Sequence, residues 1–117
     1  MNQDTLSFIK KCIRHRRIIW TNHVDIRLKE RLISRHNILS SVAEYEIIDE
    51  YPDNIFLPSY LIYSKMGNKV FHILINVDFQ NELITIVTSY QPTQDRWERD
   101  YRTRKKNELL QLLQLQQ

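Results

Sequence analysis

Apolar residues recur at helical spacing in the first third of the chain and at every second position in the middle, and this change of period divides the sequence into two kinds of element. In "DTLSFIKKCIRHR" Leu6, Ile9 and Ile13, with Phe8 and Cys12, fall on one side of a helix, and Asp4 or Thr5 can cap its first turn. In "WTNHVDIRLKERLISRHNI" Thr21 or Asn22 is the cap of a second helix, and Val24, Leu28 and Leu32 form its inward stripe. A short third helix is expected from Ser34, its cap, through Val42. The strands "YEIIDEY", "YLIYSKM", "KVFHILINVD" and "LITIVTSYQ" follow. In the third of these, Phe71, Ile73, Ile75 and Val77 alternate with Val70, His72, Leu74 and Asn76. Turns at "KMGNK" and "DFQNE" join the last three strands into an antiparallel meander, and Pro52 and Pro58 bracket a loop. Pro92-Thr93 ends the sheet and opens a final helix with Asp95 in its first turn and Trp97 and Tyr101 on one face. The predicted fold is α+β: N-terminal helices packed on a four-stranded antiparallel sheet, with a closing C-terminal helix.

Length and composition narrow the function classes. At 117 residues the chain is expected to form a single domain spanning 1–117, with a Leu/Gln-rich helical tail over 107–117 that offers a route to a homodimer. The one glycine, Gly67, excludes Gly-rich phosphate loops, and with them nucleotide binding of the P-loop or dinucleotide kind. A single cysteine, Cys12, and four scattered histidines give no zinc spacing, so neither a metal nor a cofactor is expected. With no apolar run of signal or membrane-spanning length, the expected setting is the reducing cytoplasm, away from membranes.

The net charge of +3 conceals segregation. Residues 1–40 carry nine Lys and Arg against three acids, residues 41–92 two against seven, and residues 93–117 six against four. Two basic flanks around an acidic middle point to an anionic partner, with nucleic acid first. His23, Arg27 and Arg31 stand four apart, so they form one tilted row beside the stripe of Val24 and Leu28. A guanidinium binds phosphate oxygens through a planar fork and keeps its charge, and a histidine titrates near neutrality. The competing structural reading lays the arginine stems on the core and pairs their heads with acids such as Glu46 or Asp49. His72 lies mid-strand, where a titratable ring needs a hydrogen bond or a function. In "RWERDYRTRKK" Arg99, Arg102 and Lys106 share a helical face and Arg104 points elsewhere. All four are candidate nucleic-acid contacts, although Asp95 with Arg99 and Glu98 with Arg102 are also spaced to pair locally.

The pattern Trp-Thr-x-His-x-x-x-Arg-x-x-x-Arg, followed in order by "EIIDEYPDN", "YLIYSKMGNKVFHILINVD" and "SYQPTQDRWERDYRTRK", resembles the bacterial domain-of-unknown-function family 4258 over residues 18–104. The resemblance implies a fold like that of RelE-type toxins and the wider barnase-EndoU-colicin-RelE-like ribonucleases, with an antitoxin as partner. It carries over to His23, Arg27, Arg31, His72, Tyr90 and Trp97.

RNA holds its own nucleophile, the 2′-hydroxyl, so a metal-free ribonuclease needs a base, an acid for the leaving 5′-oxygen and cations around the phosphate. The sequence therefore predicts a toxin-like, metal-independent endoribonuclease with His23, Arg27, Arg31, His72 and Tyr90 converging on one phosphate. The alternative is a non-catalytic RNA-binding or protein-interaction domain.

Overall fold

The computed structural model describes residues 2–54 and 56–105. Three helices, α1 (Asn2–Arg14), α2 (Asn22–Glu30) and α3 (Arg35–Ser40), pack on a sheet of five strands: β1 (Ile18–Trp20), β2 (Glu46–Tyr51), β3 (Ser59–Met66), β4 (Lys69–Asp78) and β5 (Leu83–Tyr90). A 3-10 turn over Val42–Glu44 links α3 to β2. The α+β architecture agrees with the periodicity, but the sheet is mixed, in the order β1-β5-β4-β3-β2. The extra strand, β1, runs parallel to β5 with Ile18 opposite Ile84 and Trp20 opposite Ile86. Three residues are too few for alternation to show, and their partner lies more than sixty positions away.

Local chemistry sets the helix ends. The Thr21 hydroxyl accepts the Val24 N–H at 3.1 Å and starts α2. At the other end the Leu32 N–H reaches the Lys29 carbonyl and the Ile33 N–H reaches the Leu28 carbonyl, the paired bonds of a Schellman ending. Leu32 takes the left-handed conformation there, at φ 57°. It is therefore not part of the inward stripe but 82% exposed, and Ile33 enters the core in its place. Ser34 caps α3 through a reciprocal box with Asn37, as expected, though α3 ends at Ser40.

Phe71, Ile73, Ile75 and Val77 of β4 all lie at 0% exposure and meet Ile9, Ile13, Val24 and Leu28 from the helices. Each such side chain contributes about 1.5–3 kcal/mol by leaving water. Gly67, at φ 61°, begins the two-residue turn that pairs Met66 with Lys69 and holds β3 and β4 in register.

After Pro92 no helix forms in the described residues; 91–105 is a turn-rich segment, and this corrects the expected closing helix. Asp100 accepts the backbone N–H groups of Arg102 and Thr103 through Oδ1, and the Thr103 hydroxyl through Oδ2, which satisfies locally what a helix would satisfy along its axis. Tyr101 sits at φ 56°, and Trp97 forms an antiparallel bridge with Arg104. The predicted leucine-glutamine helix over 107–117, the expected dimer contact through it, and Lys106 lie outside the described residues. Among the described residues no helix is long and apolar enough to cross a membrane.

Candidate functional site

Strand alternation splits the expected site. Because Phe71 and Ile73 face the helices, His72 projects from the other side of β4. It pairs across the sheet with Tyr63 on β3 and Tyr90 on β5. The 91–105 segment lies over this row, with the Trp97 ring edge-on to His72 at 4.5 Å. His72 Nε2–H donates to the Tyr101 carbonyl at 2.6 Å, which leaves Nδ1 to accept from the Tyr90 hydroxyl at 3.3 Å. Burial lowers the His72 pKa to about 4, against the partly restoring Tyr101 bond, so the ring is neutral near pH 7.

The helix row is elsewhere. His23 is exposed on α2, and Arg27 is exposed with Glu30 at 3.7 Å. Arg31 alone reaches the sheet, where one guanidinium nitrogen donates to the Thr88 hydroxyl at 2.8 Å and the Ser89 carbonyl at 2.9 Å. It ties the end of α2 to the edge of β5. The expected convergence of His23, Arg27 and Arg31 with His72 is therefore corrected. Val24 and Leu28 pack on one sheet face, while His72 and Tyr90 belong to the other.

The basic residues of the last segment also sort differently from their helical spacing. Arg102 makes a fork onto Glu46, with its closest nitrogen at 2.7 Å, and stacks 3.9 Å over the Tyr63 ring. Arg104 stacks 4.6 Å over Trp97, donates to the Tyr51 hydroxyl at 3.3 Å and lies 3.6 Å from Asp49. Glu46 and Asp49 of β2 are thus met by the arginines of the C-terminal segment rather than by those of α2. Arg99 is exposed and distant from this arrangement in role, since the turn at Asp100 replaces the expected helical face.

What the structure does assemble is a cleft of about 460 Å³ on the face the helices leave uncovered. Leu61, Leu74 and Ser59 make its floor, and Tyr51, Tyr90 and Arg104 its walls. A second hollow of about 350 Å³, lined by Pro92, Thr93, Arg96 and Trp97, shares Tyr90 and Arg104 with the first. Burial and the Asp49 hydrogen bond raise the Tyr51 pKa, so its phenol stays protonated. Burial works against the charge of Arg104, but Tyr51 and Asp49 more than offset it and the guanidinium stays cationic. Sequence reading found Tyr90 and Arg104 but missed Tyr51, Asn54 and Ser59. Their signal is register: Tyr51 opposes Ser59, and Ser59 opposes Asn76, across three strands. Among the described residues no group of three or more His, Cys, Asp or Glu side chains could hold a metal ion.

An α+β domain with helices on one sheet face and a Tyr-Arg cleft on the other is the class this chain represents. The family model described as "Domain of unknown function (DUF4258)" matches residues 20–91, more than half of the 117 residues, and the chain belongs to that family. No curated protein and no solved structure matches the chain.

Proposed function

We propose that the chain is a toxin-like, metal-independent endoribonuclease of the cytoplasm, restrained by an antitoxin protein, and that its chemistry is centred on Tyr90 and Arg104 rather than on a histidine pair. The observation that supports this reading is that these two side chains are common to both hollows on the uncovered sheet face. In the reaction the 2′-hydroxyl attacks the adjacent phosphorus, the 5′-oxygen leaves, and a 2′,3′-cyclic phosphate results. In this reading Arg104 neutralises the charge that accumulates on the phosphoryl oxygens, and the Tyr90 phenol, giving up its hydrogen bond to His72, exchanges a proton with a reacting oxygen.

The test is incubation of single-stranded RNA with the purified chain in the presence of a chelator, followed by end-group analysis. Cyclic phosphate ends are expected, with Tyr90→Phe slowing cleavage about 10²-fold or more and His23→Ala leaving it near the wild-type rate. Arg104→Gln is expected to cost about 10²–10³-fold. RNA bound but uncut by folded wild-type protein supports the second reading, a non-catalytic RNA-binding domain, which the burial of His72 and the distance of the α2 row from it favour.

A further inference from the structure

Of the arginines in the 91–105 segment, two are matched by acids of β2: Arg102 holds Glu46 at 2.7 Å, and Arg104 stands 3.6 Å from Asp49. Arg96 differs. It lines the smaller hollow together with Arg104, yet among the described residues it makes no ion pair. The adjacent Asp95 feels its charge, but that carboxylate accepts the Thr93 hydroxyl. The backbone of Arg96 is fixed at both polar groups. Its N–H donates to the Thr93 carbonyl at 3.3 Å, and its carbonyl accepts the Lys105 N–H at 2.9 Å. The Trp97 bridge to Arg104 and the Glu98 N–H bond to the Thr103 carbonyl, at 2.8 Å, extend the same pairing. The exposed side chain of Arg96 thus starts from an anchored backbone, so less order is lost when a ligand engages it.

The hollow itself selects for an anion. Its lining residues include two arginines and no acid. Trp97, at 4% exposure, and half-buried Pro92 give it apolar surface, beside which a charge is less well screened than in open water. Tyr90 and Arg104 also line the larger cleft, so the two hollows are neighbours across one shared wall. A nucleic-acid strand carries one phosphate per nucleotide, and a strand with one phosphate at that wall brings the next beside it.

We infer that the Arg96 hollow is a second phosphate subsite, taking the phosphate adjacent to the one held at Tyr90 and Arg104, an inference that rests on the RNA reading above. Arg96 grips two phosphate oxygens with its planar fork and reads the backbone of the strand, not its bases. The ligand class is therefore a strand with at least two successive linkages, and a dinucleotide, with one, fills only part of the site.

The experiment separates binding from cleavage by using 2′-O-methyl uridine strands, which cannot be cut. A dinucleotide, a trinucleotide, and two trinucleotides with one or the other linkage replaced by a neutral methylphosphonate are titrated into isotope-labelled protein and followed by NMR. The trinucleotide is expected to bind about 3- to 10-fold tighter than the dinucleotide, the yield of one added arginine-phosphate contact near the surface. Amide signals of residues 91–97 should move with it, and both methylphosphonate strands should fall back to the dinucleotide affinity. Arg96→Gln, checked for an unchanged Tm, should remove the gain of the trinucleotide, and Arg96→Lys, which keeps the charge without the fork, should keep part of it. A gain that persists in folded Arg96→Gln protein, or no gain in the wild type, overturns the second subsite while leaving any observed cleavage intact. A gain that depends on Arg96 in a protein that cuts no unmodified RNA overturns the ribonuclease reading alone, and failure to bind any strand overturns both.

Discussion

His72 predicts how the stability of this protein changes with pH. The ring is 0% exposed, enclosed by Trp97, Tyr90 and Tyr63, and its pKa is lowered to about 4 from 6.5, chiefly by burial. Above pH 6.5 the folded and unfolded states both hold a neutral ring, and the His72 contribution is complete. As pH falls below 6.5 the unfolded chain takes up a proton that the folded protein refuses, so stability drops by about 1.4 kcal/mol per pH unit. The loss levels off near pH 4, where the folded ring protonates, after a total of about 3 kcal/mol. Urea denaturation of wild type and His72→Gln from pH 7.5 to 4.5 isolates this group, because glutamine offers Tyr101 an amide donor but does not titrate. The advantage of wild type over the variant should shrink by about 2–3 kcal/mol across that range. A constant difference, or an NMR titration placing His72 near 6.5 in the folded protein, refutes the account. The same physics bears on catalysis. A ring that stays neutral from pH 5 to 8 and has no surface in contact with solvent is a poor proton carrier, and the pH profile of any RNA cleavage should lack its signature.

Other substitutions test the remaining structural assignments. Leu32→Gly should raise stability by about 0.5–1 kcal/mol, because the left-handed position at the end of α2 suits glycine and the leucine side chain is almost wholly in water; a lower Tm contradicts this. Arg31→Ala should cost about 1–3 kcal/mol by removing two bonds that join α2 to β5, whereas Arg27→Ala, whose ion pair with Glu30 is exposed, should change stability by less than about 0.5 kcal/mol. Equal effects in thermal denaturation would show that the row acts as a unit. RNA affinity should fall with salt at a slope of about −0.7 per phosphate contacted, and Arg104→Gln should reduce that slope by about one contact; a slope that does not move places the phosphate elsewhere.

The fold was legible where a segment is long and its period pure. Four strands, three helices, the Ser34 cap, a cap at Thr21 or Asn22 and the inward set of β4 all follow from local pattern, and the structure selects Thr21. The misses fall in short segments, where a distant strand or a local hydrogen bond, rather than period, decides the conformation. Ile18–Trp20 becomes a strand because β5 lies beside it. Trp97 and Tyr101, spaced like neighbours on a helix, sit instead in a turn that Asp100 closes with its own side chain. Leu32 matched the helical stripe by number, but the chain had already turned left-handed to leave α2.

The candidate site was less legible for a reason of symmetry. Spacing along a helix identifies residues that share a ridge, which is how His23, Arg27 and Arg31 were grouped, yet it cannot say which face of a sheet the ridge will meet. On β4 that question is decided by a single step: Phe71 and Ile73 face α1 and α2, so His72 must face away. Once His72 and Tyr90 are assigned to the far face, the cations able to join them come from the segment that crosses that face: Arg96 lines the hollow beside Tyr90, while Arg102 and Arg104 stack on Tyr63 and Trp97 and pair with acids. Their partners, Glu46 and Asp49, come from β2, more than fifty positions earlier. The acidic middle and the basic C-terminal flank, read along the sequence as a sign of an external anion, are thus partly satisfied by each other. On the face that the described helices leave uncovered, the charge that gathers is local rather than global: one guanidinium, held over Trp97 by Tyr51 and Asp49, beside two tyrosines.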